Sequence, residues 1–205
     1  MLNNIKLFCF SALVLCLSLK TQAQQFRGGV FLGFTASQID GDNLSGYNRA
    51  NLRSGVFTEL KKRRRKPWTY GMELLYHGKG SNTDINEEVL NQRKIRLHYG
   101  ELMPYAKYFI SKKTTLRSGL ALAYLFKADK KIGDETEAFE EEDFHQVNID
   151  FNAAIATELV KKLYFQVDIQ YSITPISKKF NQTNNFLGDK VYHNNIVGFS
   201  LYKLF

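Results

Sequence analysis

The stretch LYFQVDIQYSIT (163–174) decides the fold, because apolar and polar residues alternate along nearly its whole length. The apolar face carries Leu163, Phe165, Val167, Ile169, Tyr171 and Ile173, and the other face carries Tyr164, Gln166, Asp168, Gln170 and Ser172. A period of two is typical of a β-strand whose two faces meet different surroundings. The stretch therefore predicts a strand with one apolar face and one polar face.

Eight segments after residue 25 show this alternation, and none shows a sustained helical period. They span about 26–37, 51–61, 68–80, 94–110, 115–127, 145–160, 163–174 and 192–205. In the fourth segment the apolar phase changes beyond Glu101, which predicts a β-bulge near residues 101–104, since Pro104 cannot donate to a ladder. Long and short connections alternate along the chain, as they do in an up-and-down barrel. The predicted fold class is all-β, an eight-stranded antiparallel up-and-down β-barrel.

Alternation alone does not say which face of the barrel points outward. A soluble eight-stranded ligand carrier would hold the apolar face inside. In a transmembrane barrel the apolar face meets lipid, and side chains fill the narrow interior. The less apolar face is rich in small residues, such as Gly33, Gly71 and Ala121, and aromatic residues stand near strand ends on the apolar face. These features favour the transmembrane barrel.

The transmembrane arrangement turns the charged residues of the less apolar face into the barrel interior. We expect them to pair, because an unpaired buried charge is costly, although a proton or solute path is the alternative. The predicted lumen network comprises Arg27, Arg53, Glu59, Glu73, His77, Arg96, His98, Lys107, Arg117, Asp150, Glu158 and Asp168. The predicted membrane-interface anchors are Trp68, Tyr76, Tyr108 and Phe205.

The N-terminus has the pattern of a secretory signal peptide over residues 1–23, where Lys6 precedes an apolar core that ends in small residues. The mature barrel domain would then span 24–205, exported to the outer membrane after cleavage. Both cysteines, Cys9 and Cys16, fall within the predicted signal. The mature chain would therefore have no disulfide and no thiolate metal site.

The formal net charge is +8, and KKRRRKPW (61–68) places six cations in a row. Such a run in isolation suggests nucleic-acid binding. An exported chain rarely meets nucleic acid, and this run lies in a predicted short hairpin at the periplasmic end of the barrel. We therefore expect no nucleic-acid partner, and we expect the run to lie against anionic phospholipid headgroups.

Three stretches resemble the small PorT-like outer-membrane β-barrel proteins of the Bacteroidota. They are GGVFLGFTASQIDGDNLSGYNRANLRSGVFTEL (28–60), ELLYHGKGS (73–81) and KIRLHYGELMPYAKYF (94–109). The matching positions are Ser37, Gln38, Gly41, Asp42, Gly46, Tyr47, Glu73, Leu74, Leu75, Tyr76, Lys79, Gly80, Leu97, Tyr99, Glu101, Pro104, Lys107 and Tyr108. The resemblance implies an eight-stranded outer-membrane barrel. It implies no activity for most members and a link to protein secretion for a few. Tyr202 departs from it, since it lies off the Phe205 face.

No motif in the sequence predicts catalysis or metal binding. The acidic stretch DETEAFEEED (134–143) lacks the ligand spacing and central glycine of a calcium-binding EF-hand, so we expect a solvated loop. An enzyme acting on lipid acyl chains would need a nucleophile, a base and an orienting acid. His145 and His193 are the candidate bases near the outer rim, but no serine stands in a nucleophile motif. We expect no enzymatic activity, no cofactor and no metal.

The expected role is therefore structural or interactive, as an accessory to an envelope or protein-secretion complex. The expected partners are outer-membrane lipid, the barrel-assembly machinery that inserts the chain, and a protein of such a complex. The alternative is a narrow, porin-like channel or small-solute transporter. A wide diffusive pore is disfavoured because eight strands enclose only enough space for side chains.

Overall fold

The computed structural model describes residues 26–41, 46–61, 66–83, 93–132, 135–138, 144–177 and 191–205. The predicted signal peptide, the centre of the basic run and most of the acidic stretch lie outside these residues. Within the described part of the chain, no helix is long and apolar enough to cross a membrane.

The described chain forms nine β-strands, eight of which build the barrel. They are β1 (Phe26–Asp40), β2 (Arg49–Leu60), β3 (Trp68–Asn82), β4 (Arg93–Phe109), β5 (Thr114–Ile132), β6 (Glu135–Ala138), β7 (Val147–Val160), β8 (Leu163–Ser172) and β9 (His193–Leu204). Each barrel strand pairs antiparallel with its neighbours, and β9 returns to β1, so the sheet closes. The short β6 pairs only with the far end of β5. The eight-stranded up-and-down barrel predicted from the sequence is confirmed.

Long and short connections lie at opposite ends of the barrel. Residues 41–48, 83–92, 133–146 and 173–192 connect the strands at what we call the outer end. Residues 61–67, 110–113 and 161–162 connect them at the inner end. In outer-membrane barrels the longer loops are extracellular and the short turns are periplasmic. The outer end is therefore the extracellular one.

The two faces of the sheet have the arrangement expected for a membrane. Large apolar side chains point away from the barrel, and Phe34, Leu74 and Ile169 are 66%, 59% and 57% exposed. Charged side chains point inward, and Arg53 and Glu73 are 0% exposed. A water-soluble carrier would have to expose this continuous apolar surface to water at a large cost. The soluble alternative is therefore excluded.

The predicted bulge in β4 is wrong, because the irregularity lies in β5. The register runs Tyr99↔Leu125 and His98↔Lys127, so Phe126 is the extra residue. Strand β4 keeps one phase throughout: its odd-numbered residues from 95 to 105 point inward. A single extra residue in one strand of an antiparallel pair produces such a shift.

The prediction that Arg96 and His98 belong to the lumen network is also wrong. Both side chains lie on the outer face of β4, whereas Ile95, Leu97 and Tyr99 point inward and are buried. The assignment failed because the outer end of the barrel reverses the usual pattern. There the lumen is closed by apolar side chains, and the outer wall rises out of the apolar band.

Candidate functional site

The inner end of the lumen holds one carboxylate between two cations. The Glu59 carboxylate accepts from Arg27 at 2.8 Å and also pairs with Lys107. The Tyr105 hydroxyl donates to the same carboxylate at 3.4 Å. Glu59 is 2% exposed and the Arg27 side chain is 26% exposed, so this group lies where the lumen opens toward the periplasm.

The middle of the lumen holds a chain of four charges. Arg53 donates to Asp168 at 2.7 Å and lies 3.5 Å from Glu73, which also pairs with Arg117. Asn152 donates to Asp168 at 3.2 Å. Strands β2, β3, β5, β7 and β8 contribute these side chains, so the group crosses the whole interior. Charges of both signs are held together in a region that excludes water.

The outer part of the lumen holds a lysine between two carboxylates. Lys79 donates to Glu101 at 2.6 Å and also pairs with Asp150. His77 donates from Nδ1 to Glu101 at 3.2 Å. The Gln170 amide donates to Asp150 at 2.8 Å and to Glu101 at 3.1 Å, so it bridges the two carboxylates. This group continues the polar column toward the outer end.

The ion pairs described within the lumen balance one another. Five cations, Arg27, Arg53, Lys79, Lys107 and Arg117, pair with five carboxylates, Glu59, Glu73, Glu101, Asp150 and Asp168. Removing one partner of a buried pair strands the other charge, at a cost of about 3–5 kcal/mol. The network is therefore self-neutralising, and each of its members depends on another.

Apolar and aromatic side chains pack around the charges. Near the inner half, Tyr202 stacks on Phe31 with 4.5 Å between ring centroids, and the Arg117 guanidinium lies 4.8 Å from the Tyr105 centroid. Tyr202 is buried in the lumen while Phe205 points outward, which resolves the register of the last strand. Beside this aromatic group, near the inner end, is a cavity of about 20 Å³, and a space of that size holds about one water.

A cluster of apolar side chains fills the outer end of the lumen above Lys79. Its buried members are Ile39, Ile95, Leu97, Tyr99, Ala123, Leu125, Phe144 and Ile176. Phe144 and Ile176 come from the long connections rather than from strands. The connections thus contribute side chains that cover the polar column.

The structure brings together nine of the twelve residues predicted for the lumen network. These are Arg27, Arg53, Glu59, Glu73, His77, Lys107, Arg117, Asp150 and Asp168. Arg96 and His98 lie outside, as described above. Glu158 lies at the inner rim, where its carboxylate accepts from the backbone amide of Lys162 at 2.9 Å.

Sequence reasoning missed four residues that complete the network: Lys79, Glu101, Tyr105 and Gln170. Lys79 continues the inward face of β3 two residues beyond His77, so strict alternation would have found it. Glu101 and Tyr105 continue the inward face that contains Lys107. Gln170 stands two residues beyond Asp168 on the quoted stretch. Strict alternation, applied without the assumed phase change in β4, was the available signal.

Three of the four predicted interface anchors lie at the inner end. Trp68 and Tyr108 are directly paired across β3 and β4, with ring centroids 4.7 Å apart. Phe205 is 68% exposed, and its backbone amide donates to Gly28 at 3.0 Å. Tyr76 lies near the outer end, where its hydroxyl is 2.6 Å from His98 Nδ1.

The two rim histidines considered as catalytic bases have different surroundings. His193 donates from Nδ1 to the Ser172 carbonyl at 2.8 Å and stacks on Tyr171 at 5.5 Å. His145 is exposed, and its backbone amide donates to Ile176. Among the residues that the structure describes, no group of three or more His, Cys, Asp and Glu side chains is arranged to hold a metal ion.

Comparison with known proteins agrees with this architecture. Two crystal structures of Ail, the attachment invasion locus protein of Yersinia pestis, match this chain. One has a TM-score of 0.53 at 12% identity and covers 87% of this chain and 98% of its own. The other, in complex with the heparin analogue sucrose octasulfate, has a TM-score of 0.51 at 11% identity and covers 88% and 99%. At this identity the likeness concerns the fold alone.

A crystal structure of Neisserial surface protein A also matches, with a TM-score of 0.46 at 8% identity, covering 88% of this chain and 97% of its own. Among curated protein sequences, no significant match was found. The model of one protein family, described as the outer membrane protein beta-barrel domain, matches residues 22–178. These residues include the strands from β1 to β8 and therefore nearly all of the lumen network. The chain belongs to the outer membrane protein beta-barrel domain family.

Proposed function

We propose that the protein is a non-conducting barrel of the outer membrane that acts through its extracellular end as an interaction protein. The observation that carries the proposal is the filled lumen, with five paired cations and carboxylates beneath an apolar cluster. A lumen of this kind spends its polar groups on one another. The outer loops and the barrel wall are then the surfaces left for a partner.

The finer role follows the resemblance to PorT-like proteins of the Bacteroidota. Under that reading the chain is exported by a cleaved signal peptide and inserted by the barrel-assembly machinery. It then serves as an accessory to an envelope or protein-secretion complex. Exposed polar groups at the outer end, such as Tyr47, whose hydroxyl donates to Asn195 at 2.8 Å, would belong to the surface that meets such a complex.

The filled lumen argues against the alternative of a narrow channel or small-solute transporter. A solute path would have to cross Lys79 between its two carboxylates and then the apolar cluster around Leu97 and Phe144. Separating a buried ion pair costs several kcal/mol. We propose on the same grounds that the protein is not an enzyme, because His193 is engaged by Ser172 and Tyr171.

Two measurements test this proposal. In planar bilayers the refolded chain should give no regular conductance steps, and reproducible steps of one size would overturn the sealed-lumen proposal. In intact outer membranes, a photo-crosslinking residue at Tyr47 should capture a defined protein. The matched control is the same residue at Lys113 in the inner turn, which is also exposed. Equal capture at both sites, or capture at neither, would contradict an interaction through the extracellular end.

A further inference from the structure

The outward wall of β4 and β5 becomes cationic at the outer end. Ascending β5, the exposed side chains are Leu120, Leu122, Tyr124 and Phe126, followed by Lys127. On β4, His98, Arg96 and Lys94 follow Leu102 and Gly100 toward the same end. The apolar band thus gives way, through an aromatic level, to basic side chains. This is the depth at which the headgroups of the outer leaflet lie.

The bulge in β5 places a lysine on this wall. Because Phe126 is the extra residue, Phe126 and Lys127 both point away from the lumen. Phe126 packs against His98 and Tyr76, with ring centroids 6.2 and 6.1 Å apart. The Lys127 side chain is 62% exposed. Bulges commonly redirect a side chain in this way.

The wall keeps a positive excess after its own ion pairs are counted. Asp129 lies 3.1 Å from Lys127 and 3.9 Å from His98 Nε2, so one carboxylate is shared by these two side chains. Arg96 is exposed, and the ion pairs found among the described residues do not include it. Arginine and lysine side chains in this setting are typical ligands of phosphate groups.

A slot for an alkyl chain lies directly below the cations. Gly100 stands on the outward face between Tyr76 and Tyr124, its partners in the two flanking strands. A Cβ atom added at Gly100 would meet no other atom within 4 Å. The two tyrosines therefore border an open groove in the membrane-facing wall, just below His98.

We propose that this wall binds a phosphorylated lipid of the outer leaflet. Its phosphate accepts from Arg96 and Lys127, and one acyl chain lies over Gly100 between the two tyrosines. Charge complementarity selects the anionic headgroup. The groove beneath it favours a lipid over a soluble anion, because a sugar phosphate alone would leave the groove unused. The opposite wall offers no such excess, since Asp40, Gln38 and Asn195 bond to one another there.

The test uses the full mature chain in detergent, titrated with phosphorylated lipid A and followed by native mass spectrometry. A basic residue near an anionic surface contributes about 1 kcal/mol, which corresponds to about fivefold in affinity. We expect R96A and K127A each to weaken binding about fivefold, and the double variant about 25-fold. Dephosphorylated lipid A should bind the wild type as weakly as phosphorylated lipid A binds the double variant.

A second variant separates lipid binding from folding. Gly100→Leu adds an apolar side chain where space is open, so its heat-modifiable gel migration should equal that of the wild type while lipid retention falls severalfold. The control is K112A/K113A in the inner turn, where removal of two exposed lysines should leave retention unchanged.

Three results would overturn the proposal. The first is binding by the R96A/K127A variant within twofold of the wild type. The second is an equal loss in the K112A/K113A control. The third is tight binding of the deacylated sugar phosphate at the level of the intact lipid, which would mark a soluble-anion site instead.

Discussion

Replacement of Arg53 by Met removes the central cation of the lumen with little change in side-chain length. Arg53 is 0% exposed and contacts Asp168 at 2.7 Å and Glu73 at 3.5 Å. In the variant, Asp168 keeps the amide donors of Asn152 and Gln166, at 3.2 and 3.1 Å, and Glu73 keeps Arg117. The stranded charge is therefore chiefly that of Asp168.

The expected loss is about 3 kcal/mol in the free energy of unfolding. Breaking a buried pair by removing one partner costs about 3–5 kcal/mol, and the two remaining amide donors place this case at the lower end. The double variant R53M/D168N removes both charges. It should recover at least half of the loss, because replacing both members of a buried pair leaves no stranded charge.

Urea titration of the barrel refolded into phospholipid vesicles measures these differences. Heat-modifiable gel migration first verifies that each variant folds. Lys113→Ala serves as the control, because this lysine lies in the exposed inner turn and its removal should change stability by less than about 0.5 kcal/mol.

A loss below about 1 kcal/mol for R53M would refute the reasoning. It would mean that water solvates Asp168 well enough to replace the guanidinium, so the lumen would not be a closed, low-dielectric interior. A double variant less stable than R53M would refute it as well, since the two charges would then not depend on each other. Either result would also weaken the proposal of a non-conducting barrel.

Three further predictions concern the two faces of the sheet. Leu120→Arg places a charge in the middle of the lipid-facing band of β5, where Leu120 is 49% exposed, and should cost about 2–4 kcal/mol in vesicle urea titrations; a cost near zero would contradict the membrane placement. Gly198→Ala would put a methyl group 2.8 Å from Asp168 Oδ2 and should cost about 1–3 kcal/mol by the same titration; wild-type stability would show that Asp168 can move freely. Phe31→Ala removes the ring stacked on Tyr202 and should cost about 3–5 kcal/mol, seen as a lower temperature of gel conversion; an unchanged temperature would exclude a packed lumen.

The fold could be predicted from the sequence because a barrel strand shows its two surroundings directly. In β8, the residues Gln166, Asp168 and Gln170 are all buried, while Ile169 and Tyr171 are exposed. The alternation seen along the quoted stretch is therefore the boundary between lumen and lipid. The same rule identified most charges of the network.

The site was predicted less completely, because alternation identifies a face but not the depth along the strand. At the outer end of β4, Ile95 and Leu97 face the lumen and Arg96 faces outward, so polarity alone assigned them to the wrong sides. The apolar cluster there includes Phe144 and Ile176 from long connections, which have no periodicity to interpret. The pairing of charges also depends on strand register, which one sequence does not specify.

The spacing of the lumen ion pairs along the chain bears on how the barrel enters the membrane. Arg53 and Asp168 lie 115 residues apart, and Lys79 and Asp150 lie 71 apart. A partly inserted sheet of β1 to β4 would carry Arg53 and Lys79 into the bilayer without the carboxylates of β7 and β8. Unpaired charges at that depth are expensive, so the first half of the chain gains little by crossing alone. Insertion is thus expected to be concerted: the strands cross together, and the membrane rejects an incomplete barrel before any quality-control protease has to.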